Sequence, residues 1–527
     1  MDLRAKIGQL IVVRASGYLC DRQRRYPQWE APNLTLQRWL KDLNLGGVIL
    51  LGGSATEVSE RTKVLQSWAS TPLLVAADIE EGVGQRFSGK TWFPPPMTLA
   101  AIAKKDLAQA QQYAYQMGAV TAKEALEIGI NWLLAPVVDV NNNPENPVIN
   151  IRAFGESPEI VSTLTKAFIL GAQTTTVLTT AKHFPGHGDT TTDSHLDLPV
   201  INHNRDRLEQ IELPPFKSAI EAGIDSVMTA HLTIPTWDKQ HPATLSRSIL
   251  TEVLREQLGF SGLIVTDALI MGGITKYSDP EIVAVMAIDA GADILLMPEN
   301  PETAIDAIYQ AVQTGKITET KIDKAYQRVQ TLKNKVQGKI QSKDKEPNST
   351  KNLVVDGYLV AEKIVKDSLV TTGNLPLEID KNQDCRNLIV VDDVLNTSYL
   401  DLATPAIAIP QSLGYQRQII DTNSLSLINQ DPRPTLLQLF IRGNPFRGSA
   451  GLTLEAKKQY QQLLNSDRLL GLVIYGSPYV REWFESQIAP ERPFVFSYAQ
   501  MDMAQNIALK TLLGSFNEHE QTSNFGF

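Results

Sequence analysis

The segment Lys182-His183-Phe184-Pro185-Gly186-His187-Gly188-Asp189-Thr190-Thr191-Thr192-Asp193-Ser194-His195 gathers three of the chain's seven histidines, two aspartates and a lysine within fourteen residues. Pro185, Gly186 and Gly188 make much of it loop. Asp193 and His195 are two residues apart. In an extended segment they point to one side, so the carboxylate can hold an imidazole nitrogen and favour the protonated ring, which makes a general acid near neutral pH. An Asp-x-His pair is equally a structural hydrogen bond. His183, His187, Asp189, Asp193 and His195 are also suitable metal ligands. However, glycines flank His187 and Lys182 sets a positive charge beside any cation, so neither metal nor cofactor is expected. Lys182 and His183 fit better as donors to a neutral or anionic ligand.

A second carboxylate stands out. Asp267 lies between the apolar run 262–266 and Ala268-Leu269-Ile270-Met271. A carboxylate there needs a charged partner or a chemical task; the alternative is an N-cap for the next helix. Asp78, Lys182, His183, His231 and Asp267 each follow an apolar run: 73–77, 176–181, 225–229 and 263–266. With 46–51, 132–135 and 293–297 these runs read as buried strands, and helical patterns such as 107–128, 157–171 and 248–257 separate them. An eighth strand is expected near 7–13. Alternation over about 300 residues fits a (β/α)8 TIM-type barrel, in which every strand's C-terminus opens on one face and these side chains converge. A doubly wound sheet is the alternative, but no Gly-x-Gly-x-x-Gly follows an early strand.

The chain has 527 residues, 43% hydrophobic and 20% charged, with a formal net charge of -9. This is globular composition, and the acidic balance argues against a nucleic-acid partner. Cys20 and Cys385 are expected to be unpaired thiols in a reducing compartment. No signal peptide and no bilayer-spanning stretch is read, so a cytoplasmic location without membrane association is expected. The polar run within 337–352 reads as a linker. The expected domains are therefore 1–336, the catalytic barrel, and 353–527, a smaller α/β sandwich with strands at 387–391, 435–441, 470–475 and 493–498. Nothing in the sequence fixes an oligomeric state.

Lys182-His183-Phe184-Pro185-Gly186-His187-Gly188-Asp189 followed by Asp193-Ser194-His195 resembles glycoside hydrolase family 3, specifically its β-N-acetylglucosaminidase (β-N-acetylhexosaminidase) branch, which includes peptidoglycan-recycling enzymes. The segment 131–140, Arg152-Ala153-Phe154-Gly155, Met228-Thr229-Ala230-His231, Pro242-Ala243-Thr244-Leu245-Ser246 and Thr266-Asp267-Ala268-Leu269-Ile270-Met271 are similar to that family in the same order. The resemblance implies a retaining β-N-acetylhexosaminidase. Asp267 would be the nucleophile, and His195, held by Asp193, the general acid/base. Asp78, Arg86, Arg152, Lys182 and His183 would bind the sugar. A small glycoside or muropeptide is the implied substrate, and Gly186 and Gly188 would let the His195 loop move. Where the family reads Asp-x-Glu-Gly-Gly-Arg-Val-x-Arg-Phe, this chain has Glu81 and Val83 in place of a glycine and an arginine. The rival activities are a phosphorylase on the same scaffold, a β-glucosidase or β-xylosidase, and a non-catalytic muropeptide-binding protein.

Overall fold

Runs of Val, Ile, Leu and Ala without polar alternation cannot leave either face in water, and here they become parallel strands covered on both sides. In a computed structural model, which describes residues 1–194, 196–338, 356–378, 383–392, 399–442 and 451–514, the chain divides into two compact units at Ala361/Glu362. The first holds eight strands: β1 Ile11–Ser16, β2 Gly47–Leu51, β3 Leu74–Ala77, β4 Trp132–Leu133, β5 Thr180–Phe184, β6 Ser226–Thr229, β7 Leu263–Val265 and β8 Leu295–Leu296. The ladder runs β4-β3-β2-β1-β8 and β5-β6-β7, and parallel bridges Trp132–Leu178 and Val265–Ile294 join the two arcs. The ring is thus closed, in sequential order and parallel throughout, with a helix after every strand: the (β/α)8 barrel.

Two strands start four residues later than the sequence reading has them. The first strand starts at Ile11, because Asp2 caps a short helix Leu3–Gly8 by accepting from Ala5 N. The fifth begins at Thr180 rather than 176; the run before it meets the barrel through the Leu178 bridge and through Thr179, whose carbonyl accepts Ser226 N at 3.0 Å. Lys182 and His183 therefore lie within β5 instead of after it.

The register shows which side chains face inward. Trp132 Nε1 donates to Thr180 Oγ1 (2.9 Å) and Ser226 Oγ (3.0 Å), bonds that cross β4, β5 and β6 and so mark the interior. In-register partners share a face, and residues two apart in a strand share it too. Through Arg14–Ile49, Ile49–Ala76 and Ala76–Trp132 the same face passes to β1, and through Ser226–Leu263 and Met228–Val265 to β7. Arg14 and Lys182 thus point into the barrel near its C-terminal end. Asp78 and Asp267, two residues beyond Ala76 and Val265, continue the row. The odd strands supply one interior layer, which is how side chains fill such barrels.

The second unit is a six-stranded sheet, numbered onward in chain order: β9 Val370–Thr372, β10 Arg386–Val391, β11 Gln416–Asp421, β12 Thr435–Ile441, β13 Leu469–Gly476 and β14 Phe494–Ser497. Its order is β11-β10-β12-β13-β14-β9, parallel except for the antiparallel β9 edge. Ile389, Phe440 and Val473 pack on one face against helices Pro405–Ser412 and Asp502–Leu513, and Val390, Leu439 and Ile474 on the other face are also fully buried. From residue 339 onward, the expected linker lies outside the described residues. No helix among the described residues is long and apolar enough to cross a membrane, and Cys20 and Cys385 are both free thiols.

Candidate active site

Lys182, 2% exposed, reaches up from β5 to two carboxylates on the segment after β3: its Nζ lies 2.7 Å from Asp78 Oδ1 and 2.6 Å from Glu80 Oε1. Arg152 grips Glu80 from the other side with both fork nitrogens, Nε and Nη2, at 2.8 Å each. Burial alone would raise the Glu80 carboxyl, but Arg152 and Lys182 outweigh it and hold the group well below the usual carboxylate range. Burial likewise pulls against the Lys182 ammonium, and Asp78 and Glu80 overcome it, so its pKa is raised. Arg86 is exposed and donates from Nε to the Asp78 carbonyl (3.0 Å). Asp78, half exposed, is the member of this network open to a ligand.

The departure at Glu81 and Val83 turns inward. Glu81 is 1% exposed, and its Oε2 accepts from Trp92 Nε1 at 3.0 Å. Val83 is fully buried.

Asp139, which follows the β4 segment, organises the histidines. Its carboxylate accepts His183 N (3.1 Å) and His187 N (2.7 Å) and pairs with His183 Nδ1 at 2.8 Å. Burial pushes Asp139 up, but His183 and the His187 amide bring it down, so it is ionised and acceptor-only. His183 Nδ1 must therefore carry the proton, which leaves Nε2 for a ligand.

His187 is spent inside the protein. Thr190 Oγ1 donates to the His187 carbonyl (3.2 Å), so it accepts from His187 Nδ1–H at 2.8 Å, and Nε2 accepts from the Ser194 hydroxyl at 2.9 Å. Ser194 sits between Asp193 and His195, so His187 anchors the loop that bears both. The flanking glycines allow a close approach of the backbone. A Cβ on Gly188 would stand 1.8 Å from the Val140 carbonyl oxygen, and Gly186 has φ +128° with the Glu212 side chain against it. Asp193 is buried at 2%; His195 lies outside the described residues.

Burial pulls the His187 pKa down to about 4. The unfolded chain takes up this proton near pH 6.5 and the folded chain only near 4, so stability is complete above about 6.5 and falls by about 3 kcal/mol on the way down to 4. We expect His187→Gln to flatten the barrel's urea midpoint across this window. A midpoint whose pH slope is unchanged by the substitution would refute the burial of a neutral ring.

Asp267 is half-buried beyond β7, and its Oδ1 accepts from Ala268 N at 2.8 Å. It does not cap the next helix, Gly272–Thr275, whose N-cap is Met271. His231, fully buried after β6, must donate from Nε2 to the Ala268 carbonyl (3.1 Å), which fixes the backbone adjoining Asp267. The same stretch receives the histidine loop: Gly273 N donates to Ser194 O (3.1 Å) and Lys276 Nζ to Leu196 O (2.7 Å). A Cβ at Gly273 would meet Ser194 O at 2.8 Å. Segments far apart in sequence are thereby joined around one opening.

Among the described residues, Asp189, His203 and Glu212 bring one potential ligand atom each within 4.8 Å of the others. Arg207 Nη2 already lies 3.1 Å from Asp189 and 3.4 Å from Glu212, so a fixed cation faces both carboxylates. This cluster is not the group of metal ligands that the sequence brings to mind. Sequence reasoning missed Arg14, Glu80 and Asp139 as site residues. A lone arginine inside Ile11-Val12-Val13-Arg14-Ala15-Ser16 was the available signal for the first.

Two family descriptions match the chain: Glycosyl hydrolase family 3 N terminal domain over residues 2–332 and Bacterial Glycosyl hydrolase family 3 C-terminal domain over 378–514. Beta-hexosaminidase A of Pseudoalteromonas piscicida is 36% identical over 318 residues, covering 55% of this chain and 53% of that protein, so the chain spans about half of that relative. Beta-hexosaminidase of Thiobacillus denitrificans is 34% identical over 306 residues, 57% of this chain and 81% of the relative. The solved glycoside hydrolase family 3 beta-N-acetylglucosaminidase from Paenibacillus sp. str. FPU-7 superimposes with a TM-score of 0.79 at 28% identity, covering 98% of this chain and 97% of that one. With the barrel, its interior layer and both domain matches in agreement, the chain belongs to glycosyl hydrolase family 3.

Proposed function

We propose that the chain is a retaining β-N-acetylhexosaminidase that removes terminal, non-reducing β-linked N-acetylglucosamine. Asp267 attacks the anomeric carbon as its bond to the leaving oxygen breaks, and protonated His195 gives that oxygen its proton. Water then attacks the glycosyl-enzyme, His195 takes the water's proton, and the sugar leaves with its configuration retained. Asp193 orients the imidazole and stabilises its cation, in the manner of a triad aspartate. Asp78, Arg86, Arg152, Lys182 and His183 hold the sugar, with Glu80 and Asp139 fixing the last three of them.

The observation that supports this reading most is the bond from Gly273 N to Ser194 O. It ties the loop of the proposed acid to the segment just after the proposed nucleophile. N-acetylglucosaminyl-anhydro-muramic acid is the substrate that the family resemblance brings forward, and it belongs in the first panel. Trapping with a 5-fluoro N-acetylglucosaminyl donor and mapping the labelled peptide tests the assignment; label on any residue other than Asp267 would reject it. Turnover with added phosphate separates hydrolysis from phosphorolysis, since only the latter yields a sugar 1-phosphate.

A further inference from the structure

Asp189 on the histidine loop, His203 beyond it and Glu212 on the following helix share no residue with the proposed catalytic or sugar-binding set. Each brings one potential ligand atom within 4.8 Å of the others. Local structure explains the meeting. Asn204 caps the helix by accepting from Arg207 N (2.9 Å), so His203 stands just before its first turn. The π turn Leu208–Glu212, with its wider i→i+5 bonding, brings Glu212 round to Arg207. Gly186, at φ +128°, lets the histidine loop run against the Glu212 side chain.

Arg207 is the cation that faces these groups, and it is poorly seated. Its Nη2 lies 3.1 Å from Asp189 Oδ2 and 3.4 Å from Glu212 Oε1, against about 2.7–2.9 Å for a good charge-assisted bond. Asp189 Oδ2 is also engaged by His203 Nε2 at 2.7 Å. Arg207 Nε and Glu212 Oε2 are both buried and have no hydrogen-bond partner. Glu212 is only 4% exposed, so this oxygen belongs to the cluster and not to bulk water.

A divalent cation resolves both orphaned atoms. Glu212 Oε2 becomes a ligand, and the Arg207 side chain, 34% exposed, turns outward to where Nε meets water. The two carboxylates balance the ion's charge, and His203 binds as the neutral ring through Nε2 with its proton on Nδ1. One nitrogen and two oxygens suit Zn2+ better than Ca2+ or Mg2+, which favour all-oxygen sets. Of the ligand types gathered in the fourteen-residue segment only Asp189 takes part, and the Lys182 charge is already met by Asp78 and Glu80.

We infer that Asp189, His203 and Glu212 form a binding site for a zinc-type divalent cation, for which Arg207 competes. It lies at the foot of the loop that carries Asp193 and His195, and an ion there ties that loop to the Glu212 helix.

The test titrates the full chain, freed of metal by a chelator, with Co2+ at neutral pH and follows visible absorption. Wild type should bind a single equivalent of Co2+ that Zn2+ displaces. Arg207→Met removes the competing charge and should tighten the Co2+ Kd about tenfold. His203→Gln should abolish binding, and His195→Gln should leave it unchanged. No binding by wild type, binding that survives His203→Gln, binding lost in His195→Gln, or an unchanged Kd in Arg207→Met would each overturn the site. If Arg207→Met does not fold, wild type against His203→Gln decides.

Discussion

Asp267→Asn is expected to lower kcat on the order of ten-thousand-fold, about 5.5 kcal/mol of transition-state stabilisation, while leaving the protein folded. The fold should survive because the bond from Ala268 N to Asp267 Oδ1 at 2.8 Å is equally available to an asparagine oxygen. The backbone on the far side is held independently by His231 through the Ala268 carbonyl. What the substitution removes is the negative oxygen proposed to form the glycosyl-enzyme, and an amide cannot replace it as a nucleophile. Azide should restore turnover in Asp267→Ala by entering the vacated space, giving a glycosyl azide of inverted configuration. An Asp267→Asn enzyme that keeps more than a few per cent of wild-type kcat, measured with contaminating wild type excluded by burst titration, would remove Asp267 from the mechanism.

The outline of the barrel and the residues that crown it were readable from one principle: apolar runs end in polar side chains, and a parallel barrel brings those ends together. Asp78 and Asp267 illustrate it, since each stands immediately beyond a strand or one residue further. Lys182 reached the site by another route. Its strand starts four residues later than its apolar composition suggests, because pairing with β6 begins only at Thr180. It therefore projects from within the interior row. Arg14 shows the opposite difficulty. Embedded in an apolar run, it gave no strand-end signal, and only the register around the ring brings it level with Asp78. Glu80 and Asp139 were hidden for a further reason: their importance lies in partners 72 and 44 residues away, Arg152 and His183, which no local spacing encodes. In the second unit, β11 reads Gln416-Arg417-Gln418-Ile419-Ile420-Asp421 and β9 is three residues long. Both are sheet edges, where composition follows solvent exposure and the apolar signal fades.

Glu80→Gln should be the most damaging single change to stability around the site, lowering it by about 3–5 kcal/mol at pH 7. The carboxylate is 6% exposed and lies between two buried cations, Arg152 and Lys182. Lys182 keeps Asp78 as a partner, but Arg152 otherwise donates to the neutral Val148 carbonyl at 2.9 Å, with Asp78 and Asp139 acting on it through their charge alone. A neutral amide would leave its guanidinium without a carboxylate in direct contact, in a site from which water is largely excluded. The pH dependence separates this from a packing effect. Because the folded Glu80 pKa lies well below the unfolded value of about 4.3, its contribution is complete above that pH and is lost as pH falls toward the folded value. The wild-type urea midpoint should therefore drop in that acid range, and Glu80→Gln should be less stable at pH 7 with a flatter acid limb. On the functional side, KM should rise more than kcat falls, since Arg152 and Lys182 are proposed to hold the sugar and not to transfer the proton. Equal urea midpoints for the two proteins at pH 7 would mean that the Arg152–Glu80–Lys182 arrangement does not hold the site together, and that the two cations proposed to bind the sugar are positioned by the backbone alone.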